Sequence, residues 1–331
     1  MRFSLFYNCD ITPDTSVNDL YQEIETQAIL ADRLGFDAIY LAEHHFKVYG
    51  RQPAPLLSLA RLSGLTQHIG LGTAVVEAPF YQPLRLAEDA ALLDVLSGGR
   101  LRLGVGSGTR TKAAEFAKFR ISMEEKSRRT LETVEILRQA FDEGVVHFSG
   151  DYYEFTEVEI SPSPIQHATD LIWLAASDST AELAGHHGFG LLIPRVGNPE
   201  RHLEWIQRYR EASRNGPGRV AQLRFVFVAE TTQEAEKRTR QTFARYAQYE
   251  CGVNWDGRTG TREYRELMKQ MNMIIGSPEN VIEQLLEWQD EFGFDEIICQ
   301  VHAAGSDHGA SLQAIELLAR EVMPRLQTKE A

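Results

Sequence analysis

Cysteine is scarce in this chain, and the three present, Cys9, Cys251 and Cys299, are far apart and odd in number. Neither a disulfide framework nor a zinc cluster follows from that spacing. No run of 18 apolar residues occurs, so no membrane-spanning helix is expected. Positive charge is short as well: the formal net charge is -13, with no block of Lys and Arg. Phosphate backbones need a basic face, which excludes a general nucleic-acid binder. One anionic cofactor is still accommodated, because backbone N–H groups and one or two cations suffice to hold it. The opening Met1-Arg2-Phe3-Ser4-Leu5-Phe6-Tyr7 lacks the charged, apolar and small-residue order of a signal peptide, and a cytoplasmic location is the expectation. Also missing is a Gly-x-Gly-x-x-Gly opening after the first strand, where Asn8-Cys9-Asp10 stands instead.

What is there alternates. Strands are predicted over Arg2 to Tyr7, Ala38 to Leu41, Ile69 to Val76, Leu101 to Val105, Leu171 to Ala175, Gly190 to Ile193, Leu223 to Ala229 and Glu296 to Gln300. Helix-length amphipathic segments separate them, among them Leu20 to Leu34, ended by Gly35, and Pro83 to Leu96. Eight strands with helices between them predict an α/β fold, a closed TIM (β/α)8 barrel with loop insertions, over residues 1–331 as a single domain. Two stretches exceed ordinary connections. Residues 144–164 read as a hairpin around Ser149-Gly150-Asp151, and residues 251–273, polar and broken by Gly252, Gly257 and Gly260, read as an active-site cover.

Chemistry in such folds sits at the carboxyl ends of the strands, and Ala42-Glu43-His44-His45-Phe46 follows directly on Leu41. His44 is the first candidate, because an imidazole exchanges protons near neutral pH. Glu43 either orients His44 or caps local amides, and His45 is expected to pack outward. Adjacent residues seldom converge on one ion, and the i, i+4 histidine pair of a helical zinc site is absent, so no catalytic metal is expected. A second signal is Gly104-Val105-Gly106-Ser107-Gly108-Thr109-Arg110, where glycines beyond a strand admit a planar ligand or phosphate and Arg110 supplies charge; a plain tight turn explains them equally. The third is Ala175-Ala176-Ser177-Asp178-Ser179-Thr180, a strand-to-helix junction whose amides and hydroxyls at Ser177 and Thr180 suit phosphate oxygens, with a simple N-cap as the alternative. Small residues at Gly72-Thr73-Ala74-Val75 leave room for a flat ring. Tyr246, Tyr249 and Trp255 are candidates for a substrate wall, or for ordinary packing.

In order and spacing, several segments together resemble the bacterial luciferase-like family of flavin-dependent monooxygenases. They are Leu34-Gly35-Phe36-Asp37, Glu43-His44-His45-Phe46, Gly70-Leu71-Gly72-Thr73, Pro83-Leu84-Arg85-Leu86-Ala87-Glu88-Asp89, Leu96-Ser97-Gly98-Gly99-Arg100, Ile275-Gly276-Ser277-Pro278 and Glu321-Val322-Met323-Pro324. The resemblance implies a barrel, usually dimeric, that uses reduced FMN and O2 to oxygenate a small organic substrate, often with flavin supplied by a separate reductase. It further implies proton transfer at His44, a non-proline cis peptide at Ala74-Val75 beneath the flavin ring, and phosphate contacts at Ser177 and Thr180. Ser107 stands where the family has a phosphate-binding arginine, a departure that leaves Arg110 as the nearby cation. The Glu-His-His-Phe form favours FMN over the deazaflavin F420. An F420-dependent oxidoreductase, or a noncatalytic flavin-binding or partner-binding subunit, is the alternative.

Overall fold

A computed structural model of the chain describes residues 1–11, 16–46, 50–214, 216, 218–303 and 305–327, with the side chains of 110, 249 and 250 outside that description. Its strands are β1 (Arg2–Tyr7), β2 (Ala38–Leu41), β3 (Gly70–Thr73), β4 (Val76–Glu77), β5 (Leu101–Gly106), β6 (Val145–Ser149), β7 (Glu154–Glu159), β8 (Ile172–Ala175), β9 (Gly190–Ile193), β10 (Val220–Val228), β11 (Met273–Gly276) and β12 (Glu296–Gln300). Eight of them, in the order β10-β12-β1-β2-β3-β5-β8-β9, form a parallel sheet that closes where β9 pairs with β10. The eight predicted strands are the staves of this barrel.

Continuous apolar runs explain why these short segments become staves. In β2 and β9 every residue is buried, because one face meets the barrel interior and the other the surrounding helices. The helices between start at polar caps: Ser16 accepts from the Asp19 N–H ahead of Val17–Leu34, and Ser277 accepts from the Asn280 N–H ahead of Pro278–Phe292. Val17–Leu34 ends at Gly35, whose φ of 79° is readily adopted without a side chain.

Inward-facing residues alternate along each stave, and Phe6, Ala38, Tyr40, Ala42, Trp173, Leu192, Ala221 and Ile298 make one interior cluster. Toward the amino ends of the staves, the buried Glu296 carboxylate accepts from Ser4 Oγ at 2.5 Å, Arg102 Nη1 at 3.0 Å and the Tyr40 hydroxyl at 3.2 Å. This end is filled with satisfied charge, so ligand access is left to the carboxyl ends.

Three segments differ from expectation. The strand predicted over Ile69 to Val76 is two strands, β3 and β4, separated by a cis peptide bond between Ala74 and Val75. The strand predicted from Leu223 begins at Val220, because its first residues pair with β9. Residues 251–273, read as irregular, contain the helix Arg262–Gln270 and lead into β11, which lies parallel to the second half of β10. The hairpin expected within 144–164 is present as antiparallel β6 and β7, its register shifting between Val146 and Phe148.

Candidate active site

Two-residue periodicity decides which side chains enter the barrel mouth. Phe6, Ala42 and Ile298 point inward, and continuing the alternation past each strand end turns Asn8, His44 and Gln300 the same way. Around the rim the order is Asn8 after β1, His44 after β2, Ala74-Val75 after β3, Gly106-Ser107 at β5, Ala175 to Thr180 after β8, Arg195 after β9 and Gln300 at β12. The three signals of the sequence therefore fall on one continuous arc.

His44 is half-buried, and its Nε2 lies 2.7 Å from Asn8 Oδ1, while its backbone N–H donates to the Gln52 carbonyl at 2.8 Å. Gly50 covers one side of the ring; a Cβ there would fall 2.4 Å from His44 Cδ2. Glu43 turns away from this group. Buried and with its pKa raised chiefly by desolvation, it accepts from the Tyr81 hydroxyl at 2.8 Å and the Glu77 N–H at 3.2 Å. Its other oxygen lies 2.7 Å from His45 Nε2. Of the two roles expected for Glu43, the geometry shows the capping of a local amide, and it is Asn8 that meets the His44 ring nitrogen Nε2. His45 does not pack outward. Its ring sits edge-on to Phe80 and Phe119, because hydrogen bonding to Glu43 draws it into that aromatic group. Lys112 completes the layer, paired with Glu77 and donating to the Glu43 carbonyl at 2.8 Å.

The middle of the arc is flat and apolar. Ala74 and Val75 are half-buried and pack on the interior cluster of Phe6, Ala42, Trp173 and Leu192. Gly106 is required beside them: a Cβ would lie 2.5 Å from Val75 Cγ2 and 3.2 Å from Ala175 Cβ. The glycine lets Val75 and Ala175 pack directly on the β5 backbone, which fixes the Val75 side chain in this surface. Ser107 follows at the rim, half-buried, and Arg110 opens a short turn, Arg110–Lys112, but its side chain lies outside the described residues.

Past β8 the hydroxyls form a chain. Thr180 is buried and gives its single proton to the Ala175 carbonyl at 2.5 Å, so Ser177 must be the donor in the 2.8 Å contact between their oxygens. Ser179, which the sequence reading passed over, lies 3.1 Å from Ser177 Oγ and is exposed. Thr180 thus holds the loop, while Ser177 and Ser179 face outward as the hydroxyls able to turn toward an anion. The Ala176 N–H does not serve a phosphate here; it donates to the Leu192 carbonyl at 2.9 Å.

Of the three aromatic candidates for a substrate wall, the structure brings one to the mouth. Tyr246, on the helix Thr232–Cys251, has the Arg195 guanidinium 4.4 Å above its ring and accepts from Gln300 Nε2 at 2.9 Å. Trp255 is buried against Phe243 and Tyr264, 4.7 and 5.7 Å away, so it serves the packing of the 251–273 segment rather than a substrate surface. The Tyr249 side chain lies outside the described residues. Asn8, Gly50, Arg195 and Gln300 are site residues the sequence reading missed; strand-end parity flags Asn8 and Gln300. A separate cavity of about 370 Å³ lies outside the barrel, beside Leu41, Gln52, Leu57 and Leu62.

Comparison with known proteins gives a concordant result. The family model for luciferase-like monooxygenases matches residues 1–296. The oxygenase component of the flavin-dependent trigonelline monooxygenase of Acinetobacter baylyi is 26% identical over 355 residues, covering 98% of this chain and 95% of that one. Among solved structures, the monooxygenase RslO1 from Streptomyces bottropensis superposes with a TM-score of 0.88 at 27% identity, over 99% of this chain and all of its own. The oxygenating constituent of 3,6-diketocamphane monooxygenase from Pseudomonas putida, solved with FMN, shares the fold with a TM-score of 0.78 at 19% identity, over 99% of this chain and 100% of that one.

Proposed function

The chain belongs to the luciferase-like monooxygenase family, flavin-dependent enzymes of FMN and O2, and we propose that it holds reduced FMN across Ala74-Val75, with the phosphate at Ser177 and Ser179. The observation that carries this reading is the apolar platform of Ala74 and Val75, packed closely on Gly106 and bounded by an imidazole on one side and a hydroxyl cluster on the other. When bound, reduced FMN supplies the electrons with which one atom of O2 enters a small organic substrate and the other leaves as water. The residues around it orient, exclude water and handle protons. Phe6, Ala42 and Leu192 form a dry floor. His44 exchanges the proton that the oxygenation consumes, held in place by Asn8. Tyr246, fixed between Arg195 and Gln300, forms the substrate wall. Ser107 lines the phosphate side of the ring.

Reduced flavin arrives from a separate reductase. No Gly-x-Gly-x-x-Gly opening follows the first strand, and the trigonelline relative is described as an oxygenase component. The setting is cytoplasmic, which suits cysteines that are few, odd in number and far apart in the sequence. Among the described residues no helix is long and apolar enough to cross a membrane. The protein works as a homodimer through the exposed apolar face of the helix Pro83–Ser97.

Anaerobic titration with reduced FMN and with reduced F420, followed by mixing with ¹⁸O2 and a panel of small ketones, aldehydes and heteroaromatic acids, tests the assignment. Expected are saturable binding of FMN over F420 and label in one product. His44→Ala should cut oxygenation about a hundredfold or more and leave FMN affinity within about twofold. Equal loss of binding and turnover would show His44 to be a structural residue.

A further inference from the structure

The loop that follows β9, Pro194-Arg195-Val196-Gly197, meets three buried side chains from separate parts of the chain. Arg224 of β10 is fully buried, and its Nη1 donates to the Pro194 carbonyl at 3.3 Å and to the Leu223 carbonyl at 2.8 Å. Asn272, 1% exposed and placed just before β11, donates from Nδ2 to the Arg195 carbonyl at 2.8 Å, across 77 residues of sequence. Its φ of 52° suits an asparagine that ends a helix, but that local role does not send its amide to Arg195. His202, fully buried on the helix Pro199–Ala212, stands against Gly197, where a Cβ would fall 2.7 Å from His202 Nε2. Burial and the Arg224 charge push the His202 pKa down to about 4, so it packs there as a neutral ring. Among the described residues no carboxylate pairs with Arg224; its guanidinium lies 4.4 Å from the centre of the Trp288 ring. A cation buried without an acidic partner is expensive, and an apolar side chain of like volume would fill the space as well. What the guanidinium adds is directed donors, and one of them is spent on this loop.

We infer that Arg224 and Asn272 are positioning residues for the substrate side of the mouth: by holding the Pro194 and Arg195 carbonyls they set the Arg195 guanidinium over the Tyr246 ring. The stacking distance there is 4.4 Å. The hold acts through the Arg195 backbone, so it does not depend on what else that side chain meets. An arginine side chain has wide rotamer freedom, and pinning the carbonyls on both sides of its Cα narrows the arc its head can sweep. Asn272 also ends the 251–273 segment, so that segment and the loop carrying Arg195 are tied to each other. The inference deepens the assignment of Tyr246 to the substrate wall and rests on it for its functional half.

Protein labelled with 3-fluorotyrosine reads the arrangement by ¹⁹F spectroscopy. The Tyr246 signal is assigned from Tyr246→Phe, and its position without the cation is taken from Arg195→Met. Asn272→Gly keeps the left-handed backbone without strain and removes the donor; Arg224→Met keeps much of the volume and removes the guanidinium. Each should carry the Tyr246 signal about half of the way or more to its Arg195→Met position. Leu137→Ala, a truncation of a fully buried side chain on the helix Lys126–Asp142, costs stability elsewhere and should leave the signal in place. For the ketone, aldehyde or heteroaromatic acid that the native chain oxygenates, Asn272→Gly should raise KM about tenfold, the weight of one hydrogen bond. Its kcat and reduced-FMN affinity should stay within about twofold of native. A Tyr246 signal unmoved in folded Asn272→Gly and Arg224→Met overturns the inference, as does an equal displacement by Leu137→Ala. A signal that moves as stated while KM stays native upholds the positioning and overturns Tyr246 as the substrate wall.

Discussion

At the residue scale, three consecutive polar side chains do separate jobs because the chain turns as it leaves β2. Glu43 faces the loop layer and satisfies Tyr81, the Glu77 amide and His45, whereas His44 faces Asn8 in the mouth. The sequence showed that this stretch matters, since titratable residues directly after a buried strand are unusual. It could not divide the labour, because the partners lie 36 and 38 residues away from those they meet. Asn8 was missed because it belongs to no local motif and its value comes from His44 on another strand, whereas Ser179 lay inside a motif already singled out and only the geometry of the loop sets its hydroxyl beside that of Ser177. The division has a measurable consequence. Glu43→Gln keeps the shape but weakens charge-assisted bonds to three partners, so urea unfolding should show a loss of roughly 1–3 kcal/mol. Reduced-FMN affinity should stay at the native value. A variant as stable as the parent but unable to bind flavin would place Glu43 in the cofactor site instead.

At the scale of elements, the staves were legible wherever burial on both faces writes an unbroken apolar run. β1, β2, β9 and β12 fall where the sequence put them. β3 was overextended because Ala74-Val75-Val76 reads as more strand, while the backbone departs from the ladder there to present the platform. β11 was missed because four residues after a polar helix carry no period of their own, and their pairing with β10 is a tertiary fact. The platform depends on strand spacing as much as on chemistry: Gly104 is packed so closely that a Cβ would meet the Thr73 carbonyl oxygen, and Gly106 faces Val75 in the same way. Gly106→Ala therefore forces Val75 or Ala175 to shift by part of an ångström. Overpacking of this kind costs about 1–3 kcal/mol, and with Val75 in the proposed flavin surface the cost should appear as a tenfold or greater loss of reduced-FMN affinity. Isothermal titration under anaerobic conditions measures it. Native affinity in a folded Gly106→Ala protein would mean that the ring does not lie against this surface.

For the molecule as a whole, the distribution of exposed apolar side chains is uneven. Leu92, Val95 and Leu96 stand at i, i+3 and i+4 on the helix Pro83–Ser97, exposed by 46%, 40% and 61%, and Leu57, 75% exposed, lies on the adjoining helix Pro55–Ser63. A chain of net charge -13 has enough polar residues to cover this face, and it has not done so. Two copies related by a twofold axis would bury each of these leucines twice, which makes the face self-complementary and closes the assembly at two. Each of these leucines, 46% and 61% exposed in the single chain, contributes roughly 0.7–1.8 kcal/mol when removed from water, so the double change Leu92→Glu with Leu96→Glu removes four such side chains from the interface and sets like charges across it. Sedimentation velocity at micromolar concentration should find the native chain as a dimer and the variant as a monomer of 37.4 kDa. The barrel mouth opens at the carboxyl ends of the staves and the helix runs along their outer side, so the monomer should still bind reduced FMN. A native chain that sediments as a monomer at these concentrations defeats the proposal, and a variant that remains dimeric moves the interface to another face.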